Sequence, residues 1–358
     1  MDKQTVLILF GGKSSEHDVS TVSASSIIKN IPQDKYDIIK MGITKEGAWY
    51  RYNGDVELLP EDKWVEDTAN LVPAFLSPDP TVGGIIEITD SGVKTTKIDA
   101  VFPVLHGKNG EDGTVQGLLQ LAEIPYVGCD MTSSAACMDK AITNALADQA
   151  GIAQAKWLCY TEHDYRSNPQ KALDECVEKL GYPIFVKPAK AGSSVGISKA
   201  SNVHELADAF ETAFANDSKV VLEETVTGAE VECAVLGNAD PIAATPGEIA
   251  PCNEFYDYEA KYIAGTSGLF IPARISEEML KKVQQQAIRA YKALGCSGLS
   301  RVDFFVNGEE ILLNEINTIP GFTSISMYPK LFAHSGIEYS DLIDRLIKLA
   351  IEKKESEQ

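Results

Sequence analysis

The sequence predicts an α/β protein of two or three domains. Three observations carry this: a length of 358 residues, an opening strand that runs through paired glycines into a helix, and alternating strand and helix patterns further on. Residues 5–10 read as the strand and Gly11-Gly12 as the turn; Ser14 and Ser15 stand where an N-cap belongs, which puts Glu16 in the first helical turn. Residues 37–44 and 100–105 read as further strands and 115–122 as a helix. A second unit begins near Thr132 with one helix reaching Ala150, where Gly151 stops it. Strands follow at 183–186, 195–199 and 219–224, with helices at 168–180 and 202–215 between them. A third unit begins near Gly228. It holds a strand at 230–236, a long polar connection over 245–268, a helix at 276–294, a β-hairpin, and a last amphipathic helix with Leu342, Leu346, Leu349 and Ala350 on one side. The expected domains are therefore 1–131, 132–227 and 228–358. The long connection exceeds an ordinary loop, which marks a lid or binding loop.

Composition narrows the function. Hydrophobic content of 44% and charged content of 23% are those of a packed globular protein. The early apolar run at 6–10 is far too short for a signal-peptide core or a membrane span, so a cytoplasmic protein with no membrane partner is expected. Seven cysteines without a CxxC pair fit free, mostly buried thiols better than a disulfide framework or a zinc site. A net charge of −20 repels phosphate backbones and argues against nucleic acid as a partner. An anionic small substrate then requires lysines and arginines gathered locally around it.

The sharpest motif is the hairpin RVDFFVNG…ILLNEIN (301–317), with Asn307-Gly308 as its turn. Period-two alternation puts Arg301 and Asp303 on one face of the first strand, and Glu315 and Asn317 on one face of the second. Two carboxylates and an amide oxygen suit a hard cation such as magnesium, although the solvated side of a hairpin has the same pattern. The turn after it, 318–324, can offer backbone N–H groups nearby. The second motif, KPAKAGSSVG (187–196), is a strand ending in Lys187 followed by a loop of small residues whose backbone can approach phosphate. It is not a Walker A loop, and Gly12-Lys13-Ser14 fails that pattern because Leu7 stands where its first glycine belongs. Lys140, on a helix, can add a second phosphate contact.

Four weaker signals complete the set. The acidic end of the strand at 219–224, with Glu223, and then Glu230 can accept hydrogen bonds from adenine and ribose. EHDVS (16–20) places the Glu16 carboxylate at a helix N-terminus, where it can hold an ammonium. HGKNGEDG (106–113) is a glycine-rich loop with His106 and an acidic pair. Within the long connection, FYDYEAKY (255–262) offers tyrosine rings and Lys261 to close over a substrate. No spacing suggests a serine or cysteine nucleophile with its histidine.

Together, HGKNGEDGTVQG (106–117) and the block from RVDFF through NEINTIPGFT (301–323) resemble the D-alanine–D-alanine ligases of the ATP-grasp superfamily, and the likeness runs from about Gln4 to Ile351. The resemblance implies three α/β domains, with ATP between the central and C-terminal ones and Mg2+, or Mn2+ in its place, as cofactor. It implies that Glu16 holds the first D-alanine's ammonium, with Ser193 and Tyr262 completing a hydrogen-bonded set that closes the lid. Lys140, Lys187 and Lys261 would bind ATP phosphates, and Glu223 and Glu230 adenine and ribose. Asp303, Glu315 and Asn317 would be metal ligands, and Arg301 with the Gly321 backbone would stabilise the oxyanion. His106 would lie near the first substrate, and Ser326 would hold the second carboxylate. The implied reaction passes through an acyl phosphate, in a homodimer supplying peptidoglycan precursors.

Two alternatives stand beside this expectation. Relatives that prefer D-serine share much of the chain, including GITKEGAWY (42–50), and others make D-lactate products. Tyr262 resembles the dipeptide-forming members, and Met327 stands where serine-preferring members tend to carry arginine, so alanine is favoured as second substrate. A catalytically silent nucleotide-binding regulator on the same fold would be expected to lack the arginine or the metal ligands, all of which are present.

Overall fold

The computed structural model describes residues 3–250, 268–323 and 325–356, and its strands form three sheets. The first contains β1 (Gln4–Gly11), β2 (Tyr36–Ile43), β3 (Trp49–Tyr52), β4 (Leu71–Leu76), β5 (Gly84–Thr89), β6 (Gly92–Lys97) and β7 (Ala100–Pro103), in the order β6-β5-β4-β3-β2-β1-β7. β1 pairs in parallel with β2 and β7, while β2 through β6 form an antiparallel meander. The parallel centre accounts for the unbroken apolar run 6–10, because both faces of β1 are covered. Val6, Ile8 and Phe10 share a core with Ala24, Ile27 and Ile28 of α1 (His17–Asn30), whereas Leu7 and Leu9 pack with Val115 and Leu119 of α2 (Thr114–Leu121). The strands β3 to β6 were not expected from the sequence. They are short, and β6 is solvent-exposed along most of its length, so neither an apolar run nor an alternation marks it.

The second sheet has the order β10-β9-β11-β8, all antiparallel, from β8 (Trp157–Thr161), β9 (Ile184–Pro188), β10 (Ser198–Ala200) and β11 (Lys219–Glu224). The helix expected from 132 to 150 is in fact two, α3 (Met131–Met138) and α4 (Lys140–Gln149). Asp139 breaks them apart: its backbone is extended and its Oδ1 accepts from the N–H groups of Ala141 and Ile142, capping α4. After the short α5 (Glu162–Ser167), α6 (Pro169–Leu180) and α7 (Val203–Phe214) cover one face of this sheet, with Leu173, Cys176, Leu206 and Phe210 against Ile184, Val186, Val220 and Leu222.

The third sheet contains β12 (Ala229–Gly237), β13 (Ile242–Ala243), β14 (Gly247–Ala250), β15 (Gly268–Phe270), β16 (Gly298–Asn307) and β17 (Glu310–Asn317). Its order is β15-β14-β12-β16-β17, with β13 paired to β12. The connection expected to be irregular over 245–268 thus begins with a strand, and the lid candidate at 255–262 lies outside the described residues. α8 (Glu277–Ala293), capped by Ser276, buries Val283, Ala287 and Tyr291 against Val231, Cys233, Val302 and Phe304. α9 (Met327–His334) and α10 (Tyr339–Ser356) join the first and third sheets: Leu331, Phe332, Leu342 and Leu346 share one core with Val6, Ile8, Ala234 and Leu236. The Tyr36 hydroxyl donates to Asp344 at 2.9 Å across the same junction.

Candidate active site

A cleft of about 1520 Å³ opens where the three sheets meet, lined from all of them. Its first wall is the start of α1. Gly11 and Gly12 have φ of +83° and +100°, and a Cβ on Gly11 would fall 2.2 Å from the Ile43 carbonyl oxygen, so the turn requires glycine. The Ser14 hydroxyl accepts from the Glu16 N–H at 3.2 Å and donates to the His106 carbonyl at 2.9 Å. Glu16 is consequently the N-cap residue itself rather than part of the first turn, and its carboxylate reaches outward, accepting from the Ser193 hydroxyl at 2.6 Å. Ser193 and Ser194 hold left-handed backbone conformations, which for non-glycine residues cost about 1–3 kcal/mol each and persist where surroundings impose them. Gly107 admits the same carboxylate on the other side, since a Cβ there would lie 2.4 Å from Glu16 Oε2.

His106 and Glu111 stand behind Glu16. The buried His106 ring points Nδ1 at the Ile319 carbonyl (2.9 Å) and Nε2 at the Ser23 hydroxyl (3.2 Å). A carbonyl can only accept, so Nδ1 carries the hydrogen and Nε2 accepts from Ser23. Burial lowers its pKa, against the pull of Glu16, which agrees with this neutral form. Both nitrogens are thus committed to tying the 318–323 turn to α1. Glu111 accepts from the N–H groups of Gly107 (2.8 Å) and Ile319 (3.0 Å). Burial and the nearby Glu16 push its carboxyl up to about 8.

The second sheet supplies cations. Lys187, at the end of β9, meets Glu223 of β11 at 2.6 Å, both nearly buried. Burial works against its charge, but Glu223, with Glu315 and Glu230 in support, more than offsets this and raises its pKa. Lys140 opens α4 immediately after the Asp139 break, and its Nζ donates to the Ala191 carbonyl at 2.8 Å, holding the 187–196 loop. Glu230 lines the cleft from β12 on the facing sheet, opposite Phe305 of β16.

The third wall is the hairpin. Its two turn residues are Gly308 and Glu309, not Asn307-Gly308, because Asn307 pairs with Glu310. Counting regularly from that turn would set Asp303 opposite Asn314. A β-bulge after Asp303 shifts the ladder by one, so that Asp303 faces Glu315 and Arg301 faces Asn317. Arg301 binds Asp303 through Nε (2.8 Å) and Nη2 (2.7 Å), and Glu232 lies 3.2 Å from the same Nε. The Asn317 amide donates to Asp303 (3.0 Å) and Glu315 (3.4 Å). Asp303 itself sits behind the cleft surface, while Arg301, Glu315 and Asn317 line it. Two carboxylates and an amide oxygen on adjacent strands are a hard-oxygen donor set that fits Mg2+ or Mn2+.

Beyond the hairpin, a Cβ on Gly321 would fall 2.9 Å from the Ser326 hydroxyl oxygen, so glycine allows that close approach. Ser326 Oγ accepts from the Thr323 N–H at 3.0 Å, and Met327 follows as the buried first residue of α9. The structure therefore gathers Glu16, His106, Lys140, Lys187, Ser193, Glu223, Glu230, Arg301, Glu315, Asn317, Gly321, Ser326 and Met327 around one cleft, with Asp303 directly behind it. Lys261 and Tyr262 lie outside the described residues. Sequence reasoning noted Glu111 only as one of an acidic pair without a role, and passed over Glu232 and Asp139. Glu232 was findable, two residues after Glu230 on the same strand face; Asp139 hides inside what looks like a continuous helix.

Sheets closing on a cleft with lysines on one wall and a carboxylate–arginine cluster on the other define a protein of the ATP-grasp class. The family profile described as D-ala D-ala ligase N-terminus matches residues 5–129, and that described as D-ala D-ala ligase C-terminus matches residues 146–348. The chain belongs to the D-alanine–D-alanine ligase family. It is 50% identical over 365 residues to a D-alanine–D-alanine ligase of Acetivibrio thermocellus, covering 98% of this chain and 97% of that one. A D-alanine–D-alanine ligase of Clostridium novyi is 48% identical over 353 residues, covering 98% and 99%. Among solved structures, the VanG D-Ala:D-Ser ligase of Enterococcus faecalis matches with a TM-score of 0.90 at 46% identity, covering 98% of this chain and 100% of that one. The D-alanine–D-alanine ligase of Coxiella burnetii matches with a TM-score of 0.86 at 35% identity, covering 99% and 97%.

Proposed function

We propose that the chain joins two D-alanines into D-alanyl-D-alanine at the expense of ATP, in the cytoplasm, for peptidoglycan precursor synthesis. The observation that carries this is the gathering of the Glu16 carboxylate, Lys140 and Lys187, and the Arg301–carboxylate cluster around one cleft, in a chain of this family. Glu16, steadied by Ser193, takes the ammonium of the first D-alanine. Lys140 and Lys187 hold the ATP phosphates, joined by Lys261, while Glu223 and Glu230 receive the adenine and ribose. Asp303, Glu315 and Asn317 would hold Mg2+ or Mn2+, which supplies charge neutralisation at the phosphates when bound.

The first carboxylate oxygen attacks the γ-phosphorus and ADP leaves, giving an acyl phosphate. The free amine of the second D-alanine, its carboxylate held at Ser326, then attacks that carbonyl. A C–N bond forms, the C–O bond to phosphate breaks, and the amine loses a proton. Arg301 commits Nε and Nη2 to Asp303, while its Nη1 makes no hydrogen bond among the described residues; with the Gly321 N–H it can take the developing oxyanion. The reactive acyl phosphate needs shelter from water, which Tyr262 and the 255–262 segment would provide. Family resemblance also supports a homodimer.

A second reading, D-serine as second substrate, is favoured by the likeness to the D-Ala:D-Ser ligase. Met327 weighs against it, because a buried thioether beside Ser326 suits a methyl group and offers a hydroxyl no strong partner. The test is phosphate release with ATP, Mg2+ and D-alanine, with D-serine and D-lactate offered beside it and L-alanine as control, and products identified by mass. D-Alanyl-D-alanine as main product supports the proposal. Dominant D-alanyl-D-serine overturns the alanine preference, and no phosphate release with any D-amino acid overturns the ligase reading.

A further inference from the structure

Next to Glu16 lies a second network that none of the proposed steps uses. The His17 ring is 2% exposed, and both its nitrogens face acceptors: Nδ1 is 2.8 Å from the Gly12 carbonyl oxygen and Nε2 is 3.0 Å from Asp62 Oδ1. A carbonyl and a carboxylate can only accept, so the two bonds coexist when both ring nitrogens carry hydrogen. Asp62 is held in a left-handed conformation, φ 56°, and its Oδ1 also takes the Trp64 indole N–H at 2.8 Å. Lys45 lies 3.2 Å from the other Asp62 oxygen and 2.7 Å from Asp18. His17, Asp18 and Asp62 bring ligand atoms within 4.8 Å of one another, but the Lys45 ammonium already supplies the positive charge that a metal ion would bring.

A buried ring with both nitrogens facing acceptors needs a reason. His17 is the first residue of α1, and its ring is buried there with both polar atoms held by other elements of the first domain. What the ring gains is geometric. It joins the glycine turn, the first turn of α1 and the loop bearing Asp62, and it fills the space under the turn: a Cβ on Gly11 would lie 3.1 Å from its Cε1. Glu16, the residue before it, has to meet Ser193 on one side and fit against Gly107 on the other.

We infer that His17 is a positioning residue for the first substrate: clamped between Gly12 and Asp62, it fixes the end of α1 and so the Glu16 carboxylate. The inference rests on the reading of Glu16 as the ammonium holder. A displacement of about 1 Å at a reacting centre can cost roughly a hundredfold in rate, so loosening this clamp falls on the first substrate.

The experiment compares Glu16→Gln, His17→Ala, Asp62→Asn and the His17→Ala/Asp62→Asn pair by steady-state kinetics, with KM resolved for each D-alanine and for ATP. Asp62→Asn keeps the shape of the loop and an acceptor oxygen, so it weakens the bond to His17 to that of a neutral acceptor rather than removing it, and it remains informative if the alanine variant fails to fold. Expected is a rise of about tenfold or more in KM for the first D-alanine in Glu16→Gln and His17→Ala and a smaller rise in the same constant in Asp62→Asn, with the other two constants within about twofold. The pair should be no worse than His17→Ala alone, because both changes act on the same clamp. An effect in Glu16→Gln with none in His17→Ala or Asp62→Asn overturns the inference and leaves the reading of Glu16 standing. Equal loss across all three constants, together with lowered melting temperature, also overturns it, since the ring would then be merely structural. No effect in Glu16→Gln overturns the reading of Glu16 and this inference with it.

Discussion

Asp303 is buried, yet its carboxylate is shared between Arg301 and Asn317, so one side chain orders both the proposed oxyanion donor and the proposed metal ligands. Asp303→Asn keeps the shape and removes the charge. Phosphate release in that variant is expected to fall by about a hundredfold or more, in line with the loss of one transition-state donor. Unchanged turnover would remove Asp303 from the site. Glu111 gives a pH prediction. Its folded carboxyl is pushed up to about 8, whereas in the unfolded chain it titrates in the ordinary range. Between those values the folded protein holds a proton that the unfolded chain lacks, so the group's contribution is full at low pH and is lost as pH rises through 8. In the ligand-free protein, the melting temperature of Glu111→Gln relative to the parent should therefore climb between about pH 5 and pH 8. Parallel curves would contradict the raised value. Most chemistry-bearing side chains were legible because their neighbours in sequence announce them, as in the alternation of Arg301 and Asp303. The raised carboxyl of Glu111 was not, because burial in the folded chain and Glu16, on another element far away in sequence, are what perturb it.

At the scale of elements, polar side chains override local propensity in two places. Asp139 splits a run of good helix formers, caps α4, and pairs with Lys219 while almost fully buried. Its replacement by alanine removes a cap worth about 1 kcal/mol and leaves Lys219 without its partner. Because Lys140 begins α4, Asp139→Ala should both lower the melting temperature and raise KM for ATP. A lowered melting temperature with unchanged KM would mean that the cap does not set the direction of Lys140. The second place is the bulge after Asp303. Alternation and an Asn-Gly pair were enough to read a hairpin, but a bulge has no signal in a single sequence, and without it the ladder would set Ile316 opposite Arg301. Similarly β3 to β6 escaped notice because short strands with wet faces lack a strong period, whereas β1, covered on both sides, announced itself.

At the scale of the whole molecule, three sheets line one cleft, and α9 and α10 join the first of them to the third by packing their apolar faces against Val6 and Ile8 as well as Ala234 and Leu236. The acidic chain concentrates Lys140, Lys187 and Arg301 there, where an anionic nucleotide and carboxylate would need them. The central claim is that one D-alanine carboxylate is phosphorylated and then displaced by the amine of another. Its most direct test is D-alanine labelled with 18O in the carboxylate, turned over with ATP and Mg2+, with the released phosphate analysed by mass. The account predicts one 18O in each phosphate formed with the dipeptide, since the attacking oxygen leaves with phosphorus. Unlabelled phosphate accompanying dipeptide formation would contradict it.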